Sequence, residues 1–157
     1  MPIDWATIKH FSPKENWGDI DLIDPRLIGV LDEYRDDLGH AVHISPAVGA
    51  VCAQDGHSKD SYHYPVFVSG KLVRPCQAAD VFPDCDLETA WLCAMRHPAI
   101  MGIGIYPCWR YQDEHLSGGL HLDIRATPRR AMWWQDIGGY KNLRTWDDIY
   151  LMLSYIH

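Results

Sequence analysis

The sequence lacks the cysteine pattern of several common small-domain classes. It contains no Cys-x-x-Cys pair, although five cysteines occur among its 157 residues. We therefore do not expect a structural zinc site made of four cysteines, because such sites use closely spaced cysteine pairs. The odd number of cysteines also argues against a disulfide framework, and it favours a reducing compartment during synthesis.

Long apolar runs and clustered basic residues are missing as well. No stretch approaches the length of a membrane-spanning helix, so we expect no integral membrane segment. The N-terminus shows no basic segment followed by an apolar one, so we expect no signal peptide. The formal net charge is −7, and the one compact basic run, residues 125–130, has three Arg. Nucleic acid is therefore not an expected partner, because binding a phosphate backbone requires clustered Lys and Arg.

Length and composition favour a single folded domain over residues 1–157. Hydrophobic residues make up 47% of the chain and charged residues 22%, which is typical of globular proteins. Residues 1–23 are expected to form an irregular N-terminal arm. Residues 46–77, which show no helical period, are expected to form a long loop. We expect the chain to be a monomer.

The remaining segments predict a mixed α+β domain. Helices are expected from Asp24 to Gly39, from Asp86 to Arg96, and from Thr145 onward. Short strands are expected at 41–45, 77–82, 101–106 and 120–125. The predicted architecture is a small mixed sheet with flanking helices.

Several potential metal ligands fall on these strands or in the long loop. Alternation within the last strand places His121 and Asp123 on one polar face. Asp80 lies in an apolar strand, where a carboxylate costs free energy unless it is paired or bound to metal. His57 and His63 lie shortly before it. Catalytic zinc takes three such ligands and keeps a position for water, but nine His in one chain also produce accidental clusters.

Three short segments follow one another along the chain: Ser61-Tyr62-His63, Ala78-Ala79-Asp80 and Gly119-Leu120-His121-Leu122-Asp123. In content and order they resemble the motifs of the zinc D-alanyl-D-alanine carboxypeptidase family, in its VanY-like, phage-associated branch. The likeness also includes residues 24–27, 102–107, Arg130 and Trp133, and spans about residues 11 to 134. It implies a hedgehog/DD-peptidase-like fold with zinc held by His63, Asp80 and His121.

The same resemblance implies an activity. It predicts a zinc peptidase that hydrolyses the stem or crosslink peptide of peptidoglycan, at a D-alanyl or L,D amide bond, with Ser61 contacting the substrate. A phage or prophage endolysin is one enzyme of this kind. Such an enzyme would be made in the bacterial cytoplasm and would act at the cell wall or in the periplasm, after release or delivery in a virion.

The chain departs from the family pattern around its first two ligands. Sixteen residues separate His63 from Asp80, where the family usually has six. The extra segment, roughly residues 64–75, is expected to form a hairpin that turns at Ser69-Gly70. The insertion leaves His57 as a rival ligand. Cys76 stands where the family has Gly, and we expect its thiol to be buried rather than bound to metal.

The general base is not identified by the resemblance. Many members carry an acidic residue three positions before the last His, which is Gly118 here, and an Arg that is absent from residues 45–48. Glu114 and His115 could fold back over the metal as bases. Asp123 is a third candidate, whose alternative role is to orient a His ligand. These departures leave open a non-catalytic relative that serves as a wall-binding or virion structural module, or a structural domain without metal.

Overall fold

The computed structural model describes residues 3–111 and 116–156. In these described residues, three α-helices accompany one six-stranded mixed sheet, and two further strands form a small separate sheet. The predicted α+β class, a small mixed sheet with flanking helices, is confirmed. Within the described residues, no helix is long and apolar enough to cross a membrane.

The helices are α1 (Pro25–Leu38), α2 (Leu87–Arg96) and α3 (Trp146–Ile156), and a short 3-10 helix at Ile20–Leu22 precedes α1. The strands are β1 (Val42–Ile44), β2 (Val66–Val68), β3 (Lys71–Arg74), β4 (Ala78–Pro83), β5 (Gly102–Tyr111), β6 (Leu116–Asp123), β7 (Ala131–Asp136) and β8 (Gly139–Asn142). The main sheet has the order β1-β4-β6-β5-β7-β8. Its neighbours are antiparallel except for β5 and β7, which are parallel.

The helix ends follow the capping residues of the sequence. The Asp24 side chain accepts a hydrogen bond from the backbone of Arg26 at the start of α1, and Gly39 ends that helix with a φ of 68°. At α3, the Thr145 hydroxyl accepts from the backbone N–H of Asp148, while the Asp148 carboxylate accepts from that of Thr145. This reciprocal pair is a capping box, and it lies at the predicted start of the helix.

The sheet is larger than predicted. β5 continues to Tyr111 rather than ending near residue 106, and β6 covers Leu116–Asp123 rather than 120–125. Strands β7 and β8 were not predicted at all. β7 pairs in parallel with β5. Parallel strands are joined by a long connection and not by a tight turn, so the sequence between them carries no hairpin motif that would predict the pairing.

The long loop contains the predicted hairpin. β2 and β3 pair with each other, and the two residues that join them, Ser69 and Gly70, have φ angles of 50° and 76°. Positive φ at both central residues is the geometry of a two-residue hairpin turn. The N-terminal arm is also well packed, since Phe11, Trp17 and Ile23 belong to the buried core.

The two faces of the sheet differ in character. Ile103, Ile105, Leu120 and Leu122 point into the core on the face against which α2 packs. Because side chains alternate along a strand, the residues between them point to the opposite face. That opposite face carries the polar residues of β4 and β6.

Candidate metal centre

One row of residues across the sheet organises the site. Asp80 on β4 lies opposite His121 on β6, His121 lies opposite Gly104 on β5, and Gly104 lies opposite Trp133 on β7. Directly opposed residues point to the same face of a sheet. The alternation in β6 that was noted from the sequence thus brings one histidine beside a carboxylate from a distant segment.

His63 reaches the same point from the long loop. Its Nδ1–H donates to the carbonyl oxygen of Val51 at 2.9 Å, and its own carbonyl accepts from the backbone N–H of Ala53. The hydroxyl of Ser61 accepts from the backbone N–H of His63 at 3.3 Å. These bonds set the orientation of the ring without help from the sheet.

The inserted hairpin stabilises this loop. The Nη2 group of Arg74 on β3 donates to the carbonyl oxygens of Lys59, Ser61 and Tyr64 at 2.7, 2.6 and 3.2 Å. Its guanidinium also lies over the Tyr62 ring at 4.8 Å. The hairpin therefore supports the segment that carries His63. A cavity opens beside His63, and none of the described residues that line it lies between 64 and 75.

Three potential ligand atoms converge at the centre. His63 Nε2 lies 2.9 Å from His121 Nδ1 and 3.4 Å from Asp80 Oδ1, and His121 Nδ1 lies 3.1 Å from Asp80 Oδ1. Zinc bonds of about 2.0–2.1 Å at tetrahedral angles separate ligand atoms by about 3.3 Å. The triangle thus has the size that one small cation requires, and this buried group could hold a metal ion.

The outer contacts of the two rings decide which nitrogens carry hydrogen. A carbonyl oxygen can only accept, so His63 carries its hydrogen on Nδ1, which faces Val51. Its Nε2 atom then carries no hydrogen and has a free electron pair. His121 Nε2 faces the Asp123 carboxylate at 3.0 Å, which likewise leaves Nδ1 as the inner acceptor. Two imidazole electron pairs and one carboxylate oxygen therefore face one another, an arrangement that is stable only around a proton or a metal ion.

The pKa values of the group follow the same logic. Burial favours the neutral form of Asp80, but its hydrogen bonds with His121 and His63 outweigh that effect and hold its pKa at about 2. Burial lowers the pKa of His63. Burial also acts to lower the pKa of His121, but the hydrogen bonds from Asp123 and Asp80 raise it to about 9. In the polypeptide alone, a single shared proton therefore resides on His121.

Asp123 binds the outer nitrogen of His121, Nε2, on the side of the ring away from His63 and Asp80. It is fully buried at 0% exposure, and in addition to His121 it pairs with the guanidinium of Arg125. Burial disfavours its charge, but the bonds with Arg125 and His121 hold its pKa at about 2. A carboxylate that hydrogen-bonds the outer nitrogen of a metal-binding His is a common feature of metal sites. The geometry favours this orienting role of Asp123 over the role of a base.

Glycines on β5 make room for these side chains. A Cβ atom at Gly102 would run into the carboxylate of Asp123, and one at Gly104 would lie 2.5 Å from the indole nitrogen of Trp133. The alternating glycines of residues 102–106 thus lie on the face of the site. Because these glycines lack a Cβ, the Asp123 carboxylate can pack directly against Gly102 and the Trp133 indole against Gly104.

A cavity of about 470 Å³ opens beside the three potential ligands. Its wall includes Ser61, Arg125 and the following aromatic side chains: Tyr62, Tyr106, Trp109, Trp133 and Tyr140. A larger cavity of about 670 Å³ lies between Cys85 and Tyr155 and contains none of the converging residues. We regard the smaller cavity as the functional one, because the buried ionisable groups border it.

The other predicted site residues are placed as follows. His57 stacks on the His63 ring, but its Nε2 bonds the carbonyl of Gly49, and it is not part of the converging group. Cys76 is buried, and its thiol donates to the carbonyls of Val51 and Ala78, as expected for a packed thiol. Glu114 and His115 lie outside the described residues.

Sequence reasoning missed the aromatic wall. Trp133 was named there only as part of the family likeness, and Tyr106 was not considered as a site residue. A signal was available in the alternation of β5, which places Gly102, Gly104 and Tyr106 on the face of His121. No family model, curated protein or solved structure matches the chain, so the assignment of the site depends on its own geometry.

Proposed function

We propose that this protein is a zinc-dependent peptidase that hydrolyses the stem or crosslink peptide of peptidoglycan. The observation that carries the proposal is the triangle formed by His63, Asp80 and His121, which lies at the wall of an open cavity. Three protein ligands with one side left for water or substrate are typical of catalytic zinc, whereas structural zinc has four protein ligands.

The donor set supports zinc over the common alternatives. Calcium and magnesium prefer sites made of oxygen ligands, while this site offers two imidazole nitrogens and one carboxylate oxygen. The distances between the donor atoms also bracket the separation expected for tetrahedral zinc. Both imidazole rings are already oriented by partners on their outer nitrogens, Val51 and Asp123.

The reaction adds water across an amide: oxygen bonds to the carbonyl carbon, the C–N bond breaks, and one proton passes to the departing nitrogen. When bound, zinc supplies Lewis acidity that polarises the carbonyl and lowers the pKa of water. Val51 and Asp123 keep the imidazole rings of His63 and His121 directed inward. Glu114 and His115 remain the bases expected from the sequence, and both lie outside the described residues.

The choice of a wall peptide comes from the order of the motifs around Ser61, His63, Asp80 and His121. The cavity lies within the common range for ligand sites, about 300–1,000 Å³, which suits a short peptide segment. Its wall offers Arg125 as a cation, Asp60 as an anion, and several aromatic faces. Ser61 lines the cavity beside His63, consistent with a contact to substrate.

The test begins with metal content by elemental analysis of the purified protein. We expect about one zinc per chain in the parent and in the matched control His40→Ala, whose residue is exposed, and loss of zinc in His63→Ala and His121→Ala. Absence of metal after reconstitution with zinc, or full retention in both ligand variants, would contradict the proposal.

The second step measures new amino groups released from purified peptidoglycan. Release by the parent but not by His121→Ala supports the peptidase. Metal binding without release of amines would instead favour the alternative, a non-catalytic relative that serves as a wall-binding or virion structural module.

A further inference from the structure

We propose that Tyr106 is a catalytic residue of this site, whose phenol donates a hydrogen bond to the carbonyl oxygen of the scissile amide as that oxygen gains negative charge. This role depends on the peptidase function proposed above. A donor aimed at a developing oxyanion is among the strongest contributors to acyl-transfer catalysis.

The sheet places Tyr106 beside the metal ligands. On β5 it lies opposite Gly119, two residues before His121 on β6, and therefore on the same face as His121. Diagonal neighbours of this kind are about 7–8 Å apart on the backbone, within reach of an aromatic side chain. Tyr106 also lines the cavity that His63, Asp80 and His121 border.

Two tryptophans hold the phenol in place. The Tyr106 ring stacks on Trp109 with 3.8 Å between centroids and 7° between planes. Trp133 Nε1–H donates to the Tyr106 hydroxyl at 2.9 Å, while the Trp133 ring lies 5.0 Å from that of His121. The indole therefore spans the gap between a ligand ring and the phenol. Tyr106 is only 5% exposed, so its hydroxyl has little freedom to move.

The hydroxyl has a proton available for a ligand. Because its oxygen accepts from Trp133, its own hydrogen must point elsewhere. Without substrate, the Tyr106 hydroxyl is hydrogen-bonded with that of Tyr140, a residue that is 69% exposed on β8 and packs edge-on against Tyr106. A carbonyl oxygen that gains negative charge is a stronger acceptor than a phenol. Burial raises the pKa of Tyr106, so it stays protonated at neutral pH.

Two other donors near the ligands have partners elsewhere. Arg125 directs its Nε and Nη2 groups to Asp123. His57 Nε2 is bonded to the carbonyl of Gly49. Tyr106 is fixed in position by Trp109 and Trp133, and its hydrogen can turn from Tyr140 toward substrate.

The test uses Tyr106→Phe, which keeps the stacked ring and removes only the hydroxyl. The probe is acetohydroxamate, a small metal chelator that presents an anionic oxygen, titrated into protein loaded with Co²⁺ and followed by visible absorption. We expect the Co²⁺ content of the variant to equal that of the parent. Its Kd for hydroxamate should rise by about tenfold or more, because a charged hydrogen bond is lost. With the wall peptide, kcat should fall by about 10²–10³.

The matched control is Tyr150→Phe, the same change at an exposed position of α3, which should bind the probe like the parent. Equal hydroxamate affinity in parent and Tyr106→Phe would overturn the role of Tyr106 and leave the peptidase standing. A parent that binds Co²⁺ but not hydroxamate would also overturn it. A parent that binds no metal would overturn the peptidase, and this role with it.

Discussion

The Nε2 atom of His63 lies 2.9 Å from the Nδ1 atom of His121, although the outer partner of each ring leaves the inner nitrogen as an electron pair. Asp80 adds an anionic oxygen at 3.1 Å from His121. In the metal-free protein, the raised pKa of His121 places a proton among these three atoms, and a bound metal ion takes the place of that proton. The first prediction follows from this contact.

Zinc should stabilise the folded protein strongly. A ligand that binds only the native state at 100 times its Kd adds about 2.7 kcal/mol to the free energy of unfolding. For a domain of this size, that increase corresponds to a rise in Tm of about 5–10 °C. Calorimetry with zinc and with a chelator measures the difference. His121→Ala should show the same Tm in both conditions; a zinc-dependent rise in this variant would count against the ligand assignment.

Asp123→Asn should weaken metal binding without removing a ligand. The carboxylate accepts from His121 Nε2 and pairs with Arg125, so its loss releases the His121 ring and makes it a poorer donor. Outer partners of this kind are worth about 10–100-fold in metal affinity. Competition with a chromophoric chelator gives the affinity. Asp136→Asn changes a carboxylate that pairs with Lys141 and accepts from the backbone N–H of Gly138, neither of which lines the cavity, and this variant should behave like the parent.

Much of this arrangement could be predicted from the sequence. The strict alternation around Leu120, His121 and Leu122 predicts both the strand and its polar face, and Asp80 stands out as a carboxylate in an apolar segment. Local capping residues such as Asp24 and Thr145 likewise mark the helix ends. Each of these features depends on neighbours within a few residues, which is the range over which sequence patterns are informative.

The unpredicted parts depend on distant contacts. Trp133 acquires its role because β7 pairs in parallel with β5, and nothing near residue 133 indicates that partner. The glycines at 102 and 104 fall in the predicted strand 101–106, but the need for a residue without a Cβ appears only when Asp123 and Trp133 are seen to lie across them. Arg74 sits in a segment that resembled a mere insertion, yet its bonds reach back to the loop of His63.

Arg74→Met should loosen the loop that carries His63. The variant removes a charged donor from the carbonyls of Lys59, Ser61 and Tyr64, at a cost of about 1.5–3 kcal/mol in the free energy of unfolding. Urea unfolding measures the loss, and chelator competition should show weaker metal binding. Lys71→Met removes an exposed cation from the same strand and should change neither quantity. Equal stability of the two variants would show that the hairpin does not support the loop.

A pair of glycine substitutions separates crowding at the site from general effects of alanine. Gly102→Ala places a methyl group against the Asp123 carboxylate and should destabilise the protein by about 1–3 kcal/mol. Gly29 lies within α1 with no atom within 4 Å of a Cβ, so Gly29→Ala should stabilise it by about 0.5–1 kcal/mol. Urea unfolding of both variants checks the opposite signs. A stabilising Gly102→Ala would contradict the close packing of β5 against Asp123.

Asp24 should contribute a pH-dependent stabilisation outside the metal centre. Burial favours its neutral form, but hydrogen bonds from Arg26 and Gln77 outweigh that effect and lower its pKa below the usual value. A carboxyl group with a depressed native pKa stabilises the fold above its unfolded pKa of about 3.9, and the contribution is lost as pH falls through the native value. Asp24→Asn keeps a side chain that can cap α1 but removes the charge. Urea unfolding with a chelator present should show a parent that is more stable than Asp24→Asn at pH 6, with the gap closing as pH falls below about 3.9 and the parent carboxyl is protonated. A gap that stays constant over this range would mean that the charge of Asp24 adds nothing to the stability of the helix start.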